Sequence, residues 1–520
     1  MGKWKPLLME TWRDVLELNA SIYETDIAYV DVKSGNKYSY KDLHERSNRF
    51  VNALNDMGVK KGDRAAILSM DRPQYLEASS ITKAGIIYVP ISFRLSRDDM
   101  VFLINDSGAK ILVTEKAFLD VIGSIRSKIP TLEKIISFDC DTDGSPAYEE
   151  LIDKYPQENP REAPSGDDIL GIVYTTGTTA RPKGVIRKHR ETTNMQRIML
   201  RSYRWRHGDR IIIGSPMFHV GLLHAYHSGL QGGATFFIPN KVDPGEMLTI
   251  IEKEKITSAY IIPTVLNMML QHPDFSNRDL SSMRAFGYVG SPMPQKVGED
   301  AVKLIGPVFF QTYGLTEGCG FTVHFPEDFK EERAFASCGR PPQGVELRIA
   351  DDSDKDLPVG ETGEILFRSE AMSGGYWNNL KLTESTYRGG WLHTGDMGKL
   401  DKHGFLYITD RKKDMIISGG ENVSPTEIEE TLYTHQAVLE ASVIGVPDDK
   451  WGEAIKAVIV LKQGISVSGE EIILYCRERM AGFKCPKTVD FVAELPKSPV
   501  GKILRRELRK KYWEKEARNV

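Results

Sequence analysis

Two apolar periods alternate along the first third of the chain. Arg64 to Ser69 (RAAILS) is a short apolar run suited to a strand buried on both faces. Residues 72–84 carry apolar positions at helical spacing, and 86–91 are again apolar and β-branched. Ser96 and Asp99 form an S-x-x-D start before the helical run MVFLIND, and Lys110 to Thr114 (KILVT) is the next strand. Strand–helix–strand alternation predicts parallel sheets covered by helices. Residues 139–168 are polar and rich in Pro, Gly and acid, so they read as a loop or a connection between subdomains. Alternation resumes over 169–240 and 256–311. Residues 335–410 differ, with short strands (VELRIA, GEILFR, GFLYITD) between Gly- and Asp-rich turns, which suits a β subdomain.

After Asp410 comes a charged pivot, Arg411-Lys412-Lys413-Asp414. Ser424-Pro425-Thr426-Glu427 is a capping box with proline at the first helical position, and Ser468 with Glu471 repeats the cap. Between them lie two strand-like runs, 441–446 and 454–461. The expected organisation is α/β: a large N-terminal domain of parallel-rich sheets with helices and a β subdomain (1–410), a hinge (411–413), and a small α+β C-terminal domain (414–520).

The chain has 520 residues, long enough for a large core without disulfide or metal staples. Hydrophobic residues at 41% and charged residues at 27% exclude a disordered or collagen-like chain. The 68 Lys+Arg against 72 Asp+Glu, net −4, exclude a polyanion-coating protein, so no nucleic-acid partner is expected. No apolar run approaches membrane-spanning length. MGKWKPLLMETW lacks a signal core, and Pro6 breaks the myristoylation pattern. Five dispersed cysteines without C-x-x-C spacing read as reduced thiols, so a cytoplasmic protein is expected.

The strongest local chemistry is Tyr174-Thr175-Thr176-Gly177-Thr178-Thr179-Ala180-Arg181-Pro182-Lys183-Gly184 after the strand-like IVY. Backbone N–H groups and hydroxyls in such a loop can wrap phosphate oxygens while Lys183 supplies a point charge. A polar surface turn is the other reading. The Walker pattern does not fit. Four more segments follow: Gln311-Thr312-Tyr313-Gly314-Leu315-Thr316-Glu317, expected to come after the strand-like VFF; Gly390-Trp391-Leu392-His393-Thr394-Gly395-Asp396; Thr409 to Asp414; and Pro496 to Leu508, which contains Gly501-Lys502.

Together these five segments, in order and spacing, resemble the adenylate-forming superfamily of acyl-CoA synthetases, peptide-synthetase adenylation domains and luciferases. The likeness runs from about residue 30 to 510 and is strongest to AMP-forming acyl-CoA ligases. It implies ATP, Mg²⁺ and coenzyme A, and a reversible two-step reaction. A carboxylate attacks the α-phosphorus of ATP to give acyl-AMP and pyrophosphate, and the CoA thiol then displaces AMP.

Roles implied by the resemblance follow the motifs. Glu317 would hold magnesium with help from Thr178, and Thr316, Thr175, Thr176, Gly177, Thr179 and Lys183 would contact phosphates. Tyr313 would stack on adenine beside Gly290-Ser291-Pro292, with Thr312 and Gly314 in the same wall. Asp396 would accept from both ribose hydroxyls, and Arg411 would support ribose and phosphate. Lys502 would reach the α-phosphate from a mobile C-terminal domain hinged at Lys413. Gly419, Gly420, Glu421 and Trp451 would line the CoA path, and His219 would guard the passage from it to the acyl pocket. For Trp451 core packing is the competing reading.

A small residue, Gly314, stands where small-acid synthetases carry a tryptophan floor. The candidate walls Val220, Gly221, Leu222, Ile262, Tyr288 and Val289 are mostly apolar. The expected substrate is therefore a neutral medium-chain, branched, alicyclic or aromatic acid. Ala180 departs from the glycine usual in the phosphate loop. His224 and His227 match no zinc pattern and are expected to be satisfied helix histidines. An enzyme that loads a carrier protein and a non-catalytic acyl-adenylate sensor are the rival functions. Monomer and homodimer are equally compatible with the sequence. A lysine acetyltransferase acting on Lys502 would remove its cation.

Overall fold

The structure is a computed structural model and describes residues 9–142, 145–175, 182–214, 216–239, 241–290, 293–318, 320–330, 335–411, 414–418, 421–448, 450–497 and 503–513. A six-stranded sheet runs in the order Lys134–Ser137, Ile111–Thr114, Arg64–Leu68, Ile87–Pro90, Ile169–Thr175, Lys183–Lys188. All neighbours are parallel except the last two strands, which pair antiparallel. An eight-stranded sheet runs Thr322–His324, Phe309–Tyr313, Ala285–Tyr288, Ser258–Ile261, Arg210–Gly214, Thr235–Ile238, Ile27–Asp31, Lys37–Ser39, parallel inside and antiparallel at both edges.

Strand pleat explains why both sheets are covered on two faces. Ala65 and Ile67 enter one core together with Ile211 and Ile213 of the larger sheet. Ala66 and Leu68 point the other way and pack with Met100, Ile104 and Ile122. Ile212 likewise leaves the shared core for a cluster with Met247, Leu266 and Phe286. Period-two apolar alternation on both faces leaves no face free for water, which produces the continuous apolar runs of the sequence.

A four-stranded antiparallel sheet (Val345–Ala350, Gly363–Ser369, Leu392–Leu400, Leu406–Arg411) forms the expected β subdomain. Beyond it, Ile416–Ser418, Glu421–Val423, Val438–Asp448, Gly452–Leu461 and Thr488–Phe491 make a smaller sheet with its own two cores. One core holds Val443, Ile455, Ala457 and Ile472, and the other Ile444, Val458, Leu495 and Leu508. Among the described residues no helix is long and apolar enough to cross a membrane.

Three local expectations need correction. The polar stretch 139–168 contains a short helix, Tyr148–Asp153, because Tyr148, Leu151 and Ile152 share one face and are buried in the first core. Gln311 to Tyr313 do not follow a strand but belong to one, Phe309–Tyr313. The capping box at Ser424 is half formed. The Ser424 hydroxyl accepts from Glu427 N–H, whereas the Glu427 carboxylate accepts from Lys484 Nζ at 2.7 Å. At Ser468 the box is complete with Glu471.

Candidate active site

Four parallel strands of the larger sheet, Arg210–Gly214, Ser258–Ile261, Ala285–Tyr288 and Phe309–Tyr313, point the same way. Just past their carboxyl ends come His219, Ile262, Val289 with Gly290, and Gly314 to Glu317. Segments far apart in sequence therefore share one edge, the place where α/β sheets bind ligands. Gly290 sits there at φ +94°, and a Cβ on it would come 3.6 Å from Ile262 Cγ2. The turn after Ala285–Tyr288 thus needs the conformational freedom of glycine, and Gly290 and Ile262 are neighbours.

Glu317 is the centre of a tight assembly. Tyr376 Oη donates to Glu317 Oε1 at 2.6 Å, and Ser373 N–H donates to the Glu317 carbonyl at 2.7 Å. Burial, and then the nearby carboxylate, push the Tyr376 phenol well above its ordinary pKa, so it remains a donor. Lys183 Nζ lies 6.0 Å from the centre of the Tyr376 ring. Tyr376 pairs with Val185 as an isolated bridge, and Trp377 N–H donates to the Gly184 carbonyl at 2.7 Å. Residues 373–377 (SGGYW) thereby clip the Lys183–Lys188 strand to the Glu317 turn. Sequence reasoning missed this clip. Its signal was a Gly-Gly-aromatic run outside the five segments, with no acid, base or lysine to draw attention.

Thr175 and Lys183 pair across the two antiparallel strands that flank the candidate phosphate segment. Thr176, Gly177, Thr178, Thr179 and Ala180 lie outside the described residues, as do Ser291 and Pro292. Among the described residues no group of three or more His, Cys, Asp or Glu could hold a metal ion. A single carboxylate such as Glu317 suits Mg²⁺ when phosphate oxygens and water complete the shell.

Asp396 is 6% exposed and accepts from Tyr313 Oη at 2.6 Å. It stands opposite Arg411 in the antiparallel ladder, so the ribose candidates are adjacent in the backbone. Tyr313 is anchored from both sides, its ring beside Phe321 and Phe367.

Two expected site residues turn out to be core. The Thr312 hydroxyl is buried against Tyr260 Oη at 2.9 Å, so only its backbone borders the site. Tyr288 is fully buried and donates to Gln311 Oε1 at 2.9 Å, which makes it support for the wall and not the wall itself. Strand alternation explains both, since successive side chains point to opposite faces. Val220, Gly221 and Leu222 occupy the first turn of the Val220–Gln231 helix, with side chains outside the described residues. The Met217 N–H just before this helix donates to Asp71 Oδ1 at 2.7 Å, and burial pushes the Asp71 carboxyl up to about 7.

The CoA candidates converge as well. Trp451 is 42% exposed, which removes the core-packing reading, and Lys450 Nζ lies 4.6 Å from its ring centre. Its neighbour Gly452 pairs with Ser418, and Ser418 pairs with Glu421. Gly419, Gly420, Lys413 and Lys502 lie outside the described residues. Among the described residues flanking Lys502, Lys497 pairs with Ile503 and Leu504 N–H donates to the Pro496 carbonyl. The following helix, Arg505–Trp513, is fixed by Arg505 to Glu429 at 2.6 Å.

The sequence profile of the AMP-binding enzymes matches residues 16–377, and that of the AMP-binding enzyme C-terminal domain matches 427–502. The chain belongs to the AMP-binding enzyme family. It is 35% identical over 491 residues to the long-chain-fatty-acid–CoA ligase FadD13 of Mycobacterium tuberculosis, covering 93% of this chain and 95% of the relative. It is 33% identical over 483 residues to a feruloyl-CoA synthase of an Amycolatopsis species, covering 92% and 94%. The crystal structure of the anthranilate CoA ligase AuaEII with anthranoyl-AMP superposes with TM-score 0.90 at 30% identity, covering 96% of this chain and 97% of that one. This family member is an AMP-forming acyl-CoA synthetase that uses ATP, Mg²⁺ and coenzyme A on a carboxylic acid.

Proposed function

We propose that the enzyme activates a neutral, medium-sized carboxylic acid, whether medium-chain, branched, alicyclic or aromatic, and transfers the acyl group to CoA. The reading rests on the assembly of Glu317, Tyr376 and Lys183 at the carboxyl ends of the parallel strands, beside a wall with glycine at 290 and 314. The acid's carboxylate attacks the α-phosphorus of ATP, two anions that must be brought together by fixed donors and cations. Lys183 meets the phosphates, Asp396 accepts from the ribose hydroxyls, and Lys502 reaches the reacting carboxylate and α-phosphate. Glu317 would hold Mg²⁺, which when bound neutralises phosphate charge.

His219 guards the passage to the CoA path along Gly419, Gly420, Glu421 and Trp451. Residues 414–520 would then turn about 411–413, withdrawing Lys502 and presenting that path for thioester formation. Acetate would leave apolar space unfilled and bind weakly. The test is AMP release with CoA across acetate, hexanoate, benzoate and cyclohexanecarboxylate. Turnover of the larger acids to their CoA thioesters is expected. Efficient acetate turnover with no response to the others overturns the proposal, and AMP release that needs a carrier protein in place of CoA favours the carrier-loading alternative.

A further inference from the structure

The interior behind the active-site edge contains an arginine and a histidine with ring or guanidinium nitrogens that have no acceptor among the described residues. Arg187 is 0% exposed and lies on the buried face of the Lys183–Lys188 strand. Its Nη2 donates to the Ala371 carbonyl at 3.2 Å, while Nε and Nη1 have no hydrogen-bond partner. His224, 2% exposed in the Val220–Gln231 helix, has no partner at either ring nitrogen. It is not the satisfied helix histidine expected from the sequence. Burial, followed by the charge of Arg187, keeps His224 neutral, with His227 and His219 acting in the same direction. A neutral imidazole still offers one N–H. A buried donor left bare keeps the full penalty of its lost hydration, so an acceptor belongs among them.

Position narrows what that acceptor is. Arg187 is four residues beyond Lys183 on the same strand, roughly 13 Å at strand rise, and is buried where Lys183 is partly exposed. His224 is five residues past His219, roughly 7.5 Å along the helix axis, the distance of the far end of an acid whose carboxylate lies at the guarded passage. Glu191 already opposes the charge of Arg187 electrostatically and is itself held by Lys188 N–H at 3.1 Å. What Arg187 and His224 lack is hydrogen-bond acceptance more than negative charge.

We infer that Arg187 and His224 form a subsite for a neutral oxygen acceptor, such as a ketone carbonyl, at the distal end of the acyl substrate. The inference rests on the acyl-site reading above and sharpens its substrate class. The test uses the full-length enzyme with CoA and a shape-matched pair, 5-oxohexanoate and 5-methylhexanoate. The wild type is expected to favour the ketone by tenfold or more in kcat/KM, mainly through the KM for the acid, with the KM for ATP unchanged. Arg187→Met and His224→Phe should abolish or reverse the preference, and His224→Gln, which keeps a donor, should retain part of it. Equal turnover of the two acids by the wild type would overturn the inference while leaving the acyl-CoA reading standing. So would variants that lose both acids in parallel, the behaviour of a buried structural or water-filled site. No CoA-dependent AMP release from any acid would overturn both.

Discussion

Tyr376→Phe isolates one hydrogen bond at the centre of the site. The ring remains, so its packing and the nearby Lys183 ammonium are preserved, and Ser373 N–H still fixes the Glu317 backbone. What disappears is the 2.6 Å donation to Glu317 Oε1. A hydrogen bond to a charged group is worth about 1.5–3 kcal/mol. At 1.4 kcal/mol per factor of ten, that is roughly a ten- to hundredfold effect. It matches the ~10–100-fold cost typical of losing a group that orients a metal-binding carboxylate. The assay is ATP–pyrophosphate exchange over a magnesium titration. We expect kcat/KM for ATP to fall by that factor and the magnesium midpoint to rise. Thioester formation from supplied acyl-AMP should be spared. An unchanged magnesium profile, or equal loss in both half-reactions, would refute the claim that Tyr376 acts by orienting Glu317.

Further expectations concern stability, pH and domain movement. Gly339→Ala should destabilise strongly, because Gly339 has φ +86° and an added Cβ would lie 2.1 Å from the Val323 carbonyl oxygen. Gly404→Ala, at φ +78° with open space, should cost only the ~1–2 kcal/mol of left-handed strain, as compared by urea midpoints. Asp71 has its folded pKa raised to about 7, so the stability it contributes is full below about pH 4 and is lost as pH rises towards 7. Asp71→Asn, which can still accept from Met217 N–H, should flatten that part of a stability–pH curve and stabilise at neutral pH; an unaltered curve would contradict it. Lys413→Pro should spare adenylation more than thioester formation, and equal loss of both would count against a hinge there. Acetylated Lys502 should abolish pyrophosphate exchange while thioester formation from acyl-AMP persists; unaffected exchange would dismiss its role.

Short-range physics made much of the molecule readable. Apolar alternation located Arg64–Leu68, Ile87–Pro90 and Ile111–Thr114 to within a residue or two, because strands buried on both faces must be apolar throughout. Ser96 and Ser468 marked helix starts because a hydroxyl meets an orphan N–H within its own turn. The five segments placed the chemistry in order along the chain, and the family match bears out that recognition. The helix at Tyr148 was masked by its acidic neighbours, since only its buried face belongs to the core.

Contacts between segments distant in sequence could be decided only by the tertiary structure. Tyr376 reaches Glu317 across 59 residues, and no local pattern encodes that distance. Thr312 and Tyr288 sit in the right segments, yet the strand pleat turns their side chains into the core. Trp451 could have been core or surface until its turn emerged exposed beside the Ser418–Glu421 hairpin. Arg187 and His224 gave no sign in the sequence of being left without acceptors. Sequence by itself determined which residue types were available and which local elements they form, because those depend on neighbours a few positions away. Which groups meet, and which buried donors go unanswered, depended on how the sheets stack, because burial and partnership are properties of the packed whole.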